Sequence, residues 1–245
     1  VLCEDVIIRS GGGIAWAVRK GSPQLLESLN RFVKKTRQGT LLGNILFKRY
    51  YENTKWVSNP LSGDKLKRLG EIEEFFKKYS EMYGFDWRLI AAMAYQESRL
   101  NHKRKSHAGA VGIMQVLPKT AAGEPINIDN IGELENNIHA GVKILHDYRQ
   151  RFVDISEMTP AARIDFALAA YNAGYNRITE MRERAEKAGL DPNKWFMNVE
   201  RTALQYIGQE TVRYVANINK YYLAYKLSGD LLDRRDDERS VLKEG

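Results

Sequence analysis

The sequence has very little cysteine and histidine, and it has no long hydrophobic run. Cys3 is the only cysteine among 245 residues, so no disulfide can form within the chain, and cysteine usage does not indicate a redox compartment. No apolar stretch approaches the roughly 20 residues of a membrane-spanning helix, and the first residues lack the pattern of a signal peptide. The four histidines show no metal-ligand spacing, so the sequence predicts neither a metal nor another cofactor.

The composition is that of a soluble globular chain, with 28% charged and 43% hydrophobic residues. The length allows one large domain, or a domain and a fragment of another. The formal net charge of +7 suits a polyanionic partner, although lysine and arginine are spread widely along the chain.

One stretch, from Asp86 to Gln115, places an acid on an apolar helix face. In a helix opened by Asp86, residues Leu89, Met93 and Glu97 are spaced so that they share one side. Apolar surroundings and the negative end of the helix dipole both disfavour a carboxylate. The pattern therefore predicts that the pKa of Glu97 is raised.

An acid still protonated near neutral pH is what protonation of a glycosidic oxygen requires. The ordinary alternative is a glutamate at a helix end that is solvated or paired with Arg99 or Lys103. The helix pattern alone leaves both interpretations open.

Further motifs follow Glu97 in a fixed order over about 120 residues. They are Glu97-Ser98, then Ser106, then G-A-x-G-I-M-Q-x-x-P-x-T-A from Gly109 to Ala121, then Ala170-Tyr171-Asn172-Ala173-Gly174, and finally Tyr214 in a helical segment. Together they resemble the catalytic signature of lytic transglycosylases that carry the soluble-transglycosylase domain. Arg104 departs from the family pattern, which usually has a small residue there.

The resemblance implies a mainly α, lysozyme-like fold and non-hydrolytic cleavage of peptidoglycan between N-acetylmuramic acid and N-acetylglucosamine. Glu97 would protonate the bridging oxygen and then, as a carboxylate, deprotonate the muramic C6 hydroxyl, giving a 1,6-anhydro product. No second carboxylate in a motif near Glu97 is identified, whereas ordinary glycosidases use two. Substrate assistance by the acetamido oxygen would make one sufficient.

The resemblance also implies a set of substrate-binding residues, namely Ser106, Met114, Gln115, Tyr171, Asn172 and Tyr214. Three have ordinary alternatives. Met114 is about equally well explained as a core methionine, Asn172 as a helix-end residue before Gly174, and Tyr214 as one of several tyrosines on its helix.

The local basic cluster, His102-Lys103-Arg104-Lys105, has three interpretations. A nucleic-acid patch is disfavoured because no aromatic residue interleaves it and no DNA-reading motif surrounds it. A solvated loop fits better. A third interpretation is that the cluster lines the glycan groove and meets the carboxylates of peptide stems.

We predict four regions along the chain. The run IAWAVRKGSPQLLESLNRF, followed by GTLLGNILFKRYY, resembles the closing segment of extracellular solute-binding domains of the amino-acid-binding type. Residues 1–57 are therefore expected to form a small α/β fragment of such a module. Residues 58–63 are expected to be a linker, residues 64–228 the lysozyme-like domain, and residues 229–245 a charged tail or loosely held helix. In the first region we expect short strands at Val6–Ile8 and Ile14–Val18, a helix after Ser22-Pro23 and another near Thr40. The ligand pocket of that module is expected to be incomplete.

In residues 64–228 we expect only helices. Helical stripes begin at Leu66, Asp86, Pro118, Leu134, Thr159, Asn176 and Glu210, and 189–207 is expected to be irregular and to overhang the groove.

The predicted function is thus a peptidoglycan lytic transglycosylase of the bacterial periplasm or cell envelope, outer-membrane association included. The chain is expected to be a monomer without nucleic-acid partners, and any targeting segment or peripheral membrane association would lie outside these 245 residues. The rivals are a hydrolytic muramidase and a non-catalytic glycan-binding protein.

Overall fold

The computed structural model describes residues 16–37, 39–40, 44 and 60–244, with side chains described as far as residue 228. The chain divides into two compact units, Val1–Asn59 and Pro60–Gly245. A search of the described residues for a helix long and apolar enough to cross a membrane finds none.

In the first unit, helix α1 spans Pro23–Thr36 and begins after Ser22, as the Ser22-Pro23 pair predicts. Most of its apolar side chains are exposed: Leu25 is 51% exposed and Phe32 is 53% exposed. Residues 16–18 have no regular secondary structure, so the described part of the strand expected at Ile14–Val18 is absent. The expected strand at Val6–Ile8 and most of the second helix lie outside the described residues, and the solute-binding resemblance stays a prediction.

The second unit is helical where it is described, which confirms the mainly α prediction. Its helices are α2 Gly63–Tyr83, α3 Trp87–Ser98, α4 Pro118–Ala122, α5 Leu134–Gln150, α6 Pro160–Ala173, α7 Tyr175–Lys187, α8 Glu200–Tyr206 and α9 Gln209–Glu244. Among the described residues, extended pairing is limited to isolated bridges that join Val111 to Lys105 and to Val116.

Local sequence explains where several helices begin and end. The Asp86 carboxylate accepts a hydrogen bond from the Arg88 backbone N–H at 2.9 Å and so caps α3. Thr159 caps α6 in the same way, with Oγ1 accepting from the Ala162 N–H at 3.2 Å. Helix α2 ends at Gly84, whose φ of 66° is the left-handed conformation that glycine adopts readily.

The core is built around α3 and α6, whose small residues allow close packing. Ala91 and Ala92 of α3 and Ala167 and Ala169 of α6 are fully buried. Because alanine side chains are short, neighbouring helices can approach these two closely.

Helix α9 lies against α3 and runs antiparallel to it. The Tyr222 hydroxyl donates to the Asp86 carboxylate at 3.0 Å, near the start of α3, while Tyr214 reaches Glu97 near its end. Tyr95 and Tyr221 pack edge to face between these points, with ring centroids 4.9 Å apart. The acid at the end of α3 is therefore held against the first turns of α9.

The expectation that 189–207 is irregular is wrong in part. The segment contains a distorted turn at Trp195–Val199 followed by α8. The Trp195 ring is 1% exposed and packs edge to face on Phe166 with centroids 5.9 Å apart. Burial of this large ring fixes the segment, which local turn signals alone did not predict.

Candidate active site

Glu97 lies in the last turn of α3 and borders an open cleft. The cleft has a volume of about 430 Å³. The Tyr214 hydroxyl donates a hydrogen bond of 2.5 Å to Glu97 Oε1. Glu97 as a residue is partly exposed, but its carboxyl group is largely enclosed by protein atoms. The acid therefore meets the cleft along one edge only.

Burial raises the pKa of Glu97 from the usual 4.5 to about 7. The hydrogen bond from Tyr214 and the positive charge of Arg104 act the other way and lower this pKa, whereas the negative charge of Glu210 raises it. The upward direction predicted from the apolar helix face is confirmed, and desolvation is its main cause. Both the acid and the carboxylate are therefore accessible to Glu97 near neutral pH.

The remaining walls of the cleft are polar. They come from α3, from the loop after it, and from α6 and α9, through Gln96, Arg104, Asn172, Glu210, Arg213 and Asn217. The amide oxygen of Gln96 is buried and has no hydrogen-bond partner among the described residues. Arginine and amide groups beside a single enclosed acid suit a ligand rich in hydroxyl, amide and carboxylate groups.

The loop between α3 and α4 folds back on itself through its own polar groups. Gln115 Nε2 donates to the backbone oxygens of Gly112 at 2.8 Å and of Arg104 at 3.1 Å. Ser106 Oγ accepts from the Ala110 N–H at 3.0 Å. Both amide hydrogens of Gln115 are thus used inside the loop. Gln115 is not among the described residues that line the Glu97 cleft.

Asn137 of α5 anchors the same loop, and sequence reasoning missed it. It is fully buried, and its Oδ1 accepts from the Met114 N–H at 2.9 Å. Its Nδ2 donates to the backbone oxygens of Val111 and Ile131, each at 3.0 Å. A polar residue among apolar positions of the α5 stripe was the available signal, since a buried amide must find partners.

Tyr171 and Asn172 connect the end of α6 to the loop and to α9. The Tyr171 hydroxyl donates to the Met114 backbone oxygen at 2.9 Å. Asn172 Oδ1 accepts from the buried Thr211 hydroxyl at 2.7 Å. Burial and the nearby charge of Glu97 raise the pKa of Tyr171 well above its usual range, as they do for Tyr214, so both hydroxyls stay protonated donors.

The structure places the Met114 side chain in the core and away from the cleft, which corrects its assignment as a group that meets the sugar. It is fully buried and packs on Gly141, where a Cβ would lie 2.7 Å from Met114 Cβ. Met114 is therefore a core methionine, which was the alternative interpretation of this residue. Met114 contributes to the site through its backbone oxygen, which accepts a hydrogen bond from the Tyr171 hydroxyl.

Glu210, at the start of α9, is a second carboxylate in the cleft, and the sequence motifs did not identify it. It is exposed, unlike the enclosed carboxyl of Glu97. The signal available in the sequence was its place four residues before Tyr214, which puts both on one side of α9.

The site thus centres on one enclosed acid at the end of α3, which is held by a tyrosine of α9. Residues 74–194 match the family model described as "Transglycosylase SLT domain", which confirms the resemblance predicted from the motifs over this region.

Two relatives extend the similarity beyond that region. The chain is 34% identical over 226 residues to membrane-bound lytic murein transglycosylase F of Desulfosudis oleivorans, covering 85% of this chain and 49% of that protein. It is 33% identical over 228 residues to the protein of the same name from Pseudomonas fluorescens, covering 85% and 46%. The chain thus spans about half the length of the curated relatives it matches.

A solved structure, an inactive mutant of lytic transglycosylase Slt from Pseudomonas aeruginosa, is similar in fold. Its TM-score is 0.52 at 18% identity, over 84% of this chain and 30% of that one. The lysozyme-like helical fold expected from the motifs is confirmed.

Proposed function

We propose that this chain is a lytic transglycosylase of peptidoglycan. It would cleave the β-1,4 bond between N-acetylmuramic acid and N-acetylglucosamine without water and leave 1,6-anhydromuramic ends. The observation that carries the proposal is the environment of Glu97, because burial favours its acid form while Tyr214 and Arg104 favour its carboxylate. The names of the relatives support the same activity.

The reaction needs one group that first gives and then takes a proton. Since Tyr214 donates to Oε1, the acid proton of Glu97 belongs on Oε2. Transfer of that proton to the glycosidic oxygen breaks the bond to muramic C1, and the acetamido oxygen of the substrate stabilises the cationic carbon. The Glu97 carboxylate then takes the proton of the C6 hydroxyl while O6 bonds to C1. Glu97 is protonated again at the end, and no water is consumed.

The proposed binding residues fall into two groups. The Asn172 amide lines the cleft directly. The Gln115 amide lies in the loop that also carries Arg104, since its Nε2 donates to the Arg104 backbone oxygen. We assign both to contacts with the sugar. Tyr171, Tyr214 and Ser106 hold the acid and the loop in position through their hydroxyl groups. For Ser106, contact with the muramic sugar also stays a proposal.

Digestion of purified sacculi followed by mass spectrometry of the products tests the proposal. We expect anhydromuramic ends from the wild type and no products from Glu97→Gln, which keeps the shape of the side chain but has no acidic proton. Turnover by the variant would contradict the role of Glu97. Inactivity of the wild type would instead support a non-catalytic peptidoglycan-binding protein.

Glu210 gives a specific reason to retain hydrolytic muramidase activity as a second candidate. A hydrolase needs a second carboxylate to activate water or to act as a nucleophile, and Glu210 is in the same cleft. Under the transglycosylase proposal, Glu210→Gln changes the rate less than tenfold and leaves the anhydro product unchanged. A collapse of activity on this substitution, together with reducing ends from the wild type, would favour hydrolysis.

The proposed partner is the glycan strand of peptidoglycan, and the proposed location is the periplasm or cell envelope. The relatives named as membrane-bound support an envelope location. We expect a monomer, to be checked by light scattering at the concentrations used for digestion.

A further inference from the structure

A second, larger cavity adjoins the cleft of Glu97. Its volume is about 690 Å³, and its lining includes Lys103, Arg104 and Lys105 on one side and Ile128 and Ile131 on the other. Arg104 lines both spaces. Because Arg104 borders both spaces, a ligand bound at Glu97 lies next to this second space, which we call the basic cavity.

The cations of the basic cavity are available to a ligand. Lys103, Arg104 and Lys105 are exposed. Over the part of the chain that the structure describes, none of their side chains forms a hydrogen bond or an ion pair. Among the described residues, Asp129 is the one acidic residue that lines the cavity. Three cations against one carboxylate favour an anionic ligand.

Two hydrogen bonds of His102 join two segments of the cavity wall. Its Nδ1 accepts from the Ile113 N–H at 3.3 Å, and its Nε2 donates to the Gly132 oxygen at 2.7 Å. A backbone N–H can only donate and a carbonyl can only accept, so these two contacts use Nδ1 as acceptor and Nε2 as donor. His102 therefore joins the loop after α3 to the segment before α5 and fixes the distance between the basic and apolar sides.

We infer that the basic cavity binds the carboxylate-bearing substituent of the muramic sugar next to the cleaved bond. This inference rests on the proposed function. The stem peptide matches the cavity, since it carries carboxylates for the lysines and small apolar side chains for the isoleucine side. The volume suits a ligand of several amino acids. A muramic acid without a peptide still carries its lactyl carboxylate, which is a shorter ligand with the same negative charge.

Three substrates separate the two sources of carboxylate. Sacculus strands with intact stems carry peptide carboxylates, amidase-treated strands carry only lactyl carboxylates, and chitooligosaccharides carry none. The main variant is Lys103→Ala/Lys105→Ala, and the matched control is Lys187→Ala, an exposed lysine on α7. Affinity is measured in a Glu97→Gln background, so that binding is read even if the enzyme performs another reaction.

We expect the double variant to bind stem-bearing strands about five- to tenfold more weakly, as two solvent-exposed charge contacts predict. Affinity for chitooligosaccharides is unchanged, and the control variant matches the parent on all three ligands. A loss of similar size on amidase-treated strands assigns the lactyl carboxylate as the ligand. With active enzyme, the same variant raises KM on stem-bearing strands and leaves kcat within about twofold.

Equal affinity of parent and double variant for all three ligands would overturn the inference, and so would an equal loss on chitooligosaccharides. Binding of a DNA oligonucleotide that depends on Lys103 and Lys105, without any effect on stems, would also overturn it. Failure of the proposed function has a different signature, since wild-type enzyme would then release no anhydromuramic product from any strand while the binding differences persisted.

Discussion

At the scale of single residues, the pKa of Glu97 is set by its burial and by two neighbours that stabilise its carboxylate form. Burial favours the neutral acid, while Tyr214 and Arg104 favour the carboxylate. A group that acts first as acid and then as base works best when both forms are accessible at the operating pH. Removing either neighbour should therefore shift this balance without removing the acid.

We predict that Tyr214→Phe moves the alkaline limb of the kcat/KM profile to higher pH. The hydrogen bond from Tyr214 lowers the pKa of Glu97, so its loss raises that pKa and keeps the acid protonated further into the alkaline range. The carboxylate loses about 1.5–3 kcal/mol of stabilisation, so kcat falls as well. Tyr206→Phe, an exposed tyrosine on α8, is the control. An unshifted limb would show that another group sets it.

Glu97 should also make the protein less stable as pH rises. Its pKa is raised from 4.5 to about 7 in the folded state. Between these values the unfolded chain loses the proton first, so the free energy of unfolding falls with increasing pH. Glu97→Gln, which does not titrate, should gain up to about 3 kcal/mol over wild type between pH 4.5 and pH 8.

Denaturant unfolding at pH 4.5 and at pH 8 measures this effect. The control is Glu183→Gln, a substitution of an exposed residue. Asp165, whose pKa burial raises to about 6, titrates in the same range but cancels in the comparison because it is present in both proteins. A pH-independent difference between Glu97→Gln and wild type would contradict the raised pKa.

Sequence reasoning reached Glu97 because helical spacing places it on the apolar face, and this information is local. It did not reach Glu210 as a cleft residue, because that depends on how α9 packs on α3. It also left Met114 undecided, since a methionine in a glycine-rich motif is compatible with either a ligand contact or the core. Full burial against Gly141 decides for the core.

At the scale of elements, the loop after α3 depends on Asn137 of α5. We predict that Asn137→Ala lowers the free energy of unfolding by about 3 kcal/mol or more, because the Met114 N–H and two backbone oxygens lose their partner inside the protein. Activity should fall with stability, since the loop carries Gln115. Asn136→Ala is the matched control, because that neighbour makes only a 3.5 Å contact to a backbone oxygen. Equal stability of the two variants would contradict the anchoring role.

Three glycines near the site allow the cost of a positive φ to be compared with the cost of a steric clash when each is replaced by alanine. A Cβ on Gly112 would lie 2.3 Å from the Asn137 amide, and its φ is +80°. Gly109 has a φ of +85° with open space, and Gly132 has neither constraint. We predict that alanine costs about 1 kcal/mol at Gly109, at least about 2 kcal/mol at Gly112, and least at Gly132. Thermal unfolding gives the order, and an inverted order would contradict it.

The elements themselves were largely predictable where capping residues and helical stripes agree. Asp86, Thr159-Pro160 and Gly84 mark boundaries that the structure has. The distorted turn at Trp195–Val199 was not predictable from turn residues, because burial of Trp195 against α6 determines it. Tertiary packing prevails over local preference at such places.

At the scale of the whole molecule, the fully buried side chains among the described residues belong to the second unit, and so does the cleft. In the described residues the buried hydrophobic core runs from Leu69 to Tyr225, and α1 has no buried residue. The lining of the Glu97 cleft falls between Gln96 and Asn217. We therefore predict that a chain beginning at Pro60 folds alone and keeps kcat/KM on sacculi within about twofold.

Differential scanning calorimetry and product release from sacculi check this expectation, with a chain beginning at Trp87 as the comparison. That shorter chain lacks α2, whose Phe76 and Tyr79 side chains are buried in the core. Removing them leaves apolar surface on α3 uncovered, so it should lose cooperative unfolding and activity together. If the chain beginning at Pro60 also lost activity while still unfolding cooperatively, residues 1–59 would have to act in binding or catalysis rather than in folding.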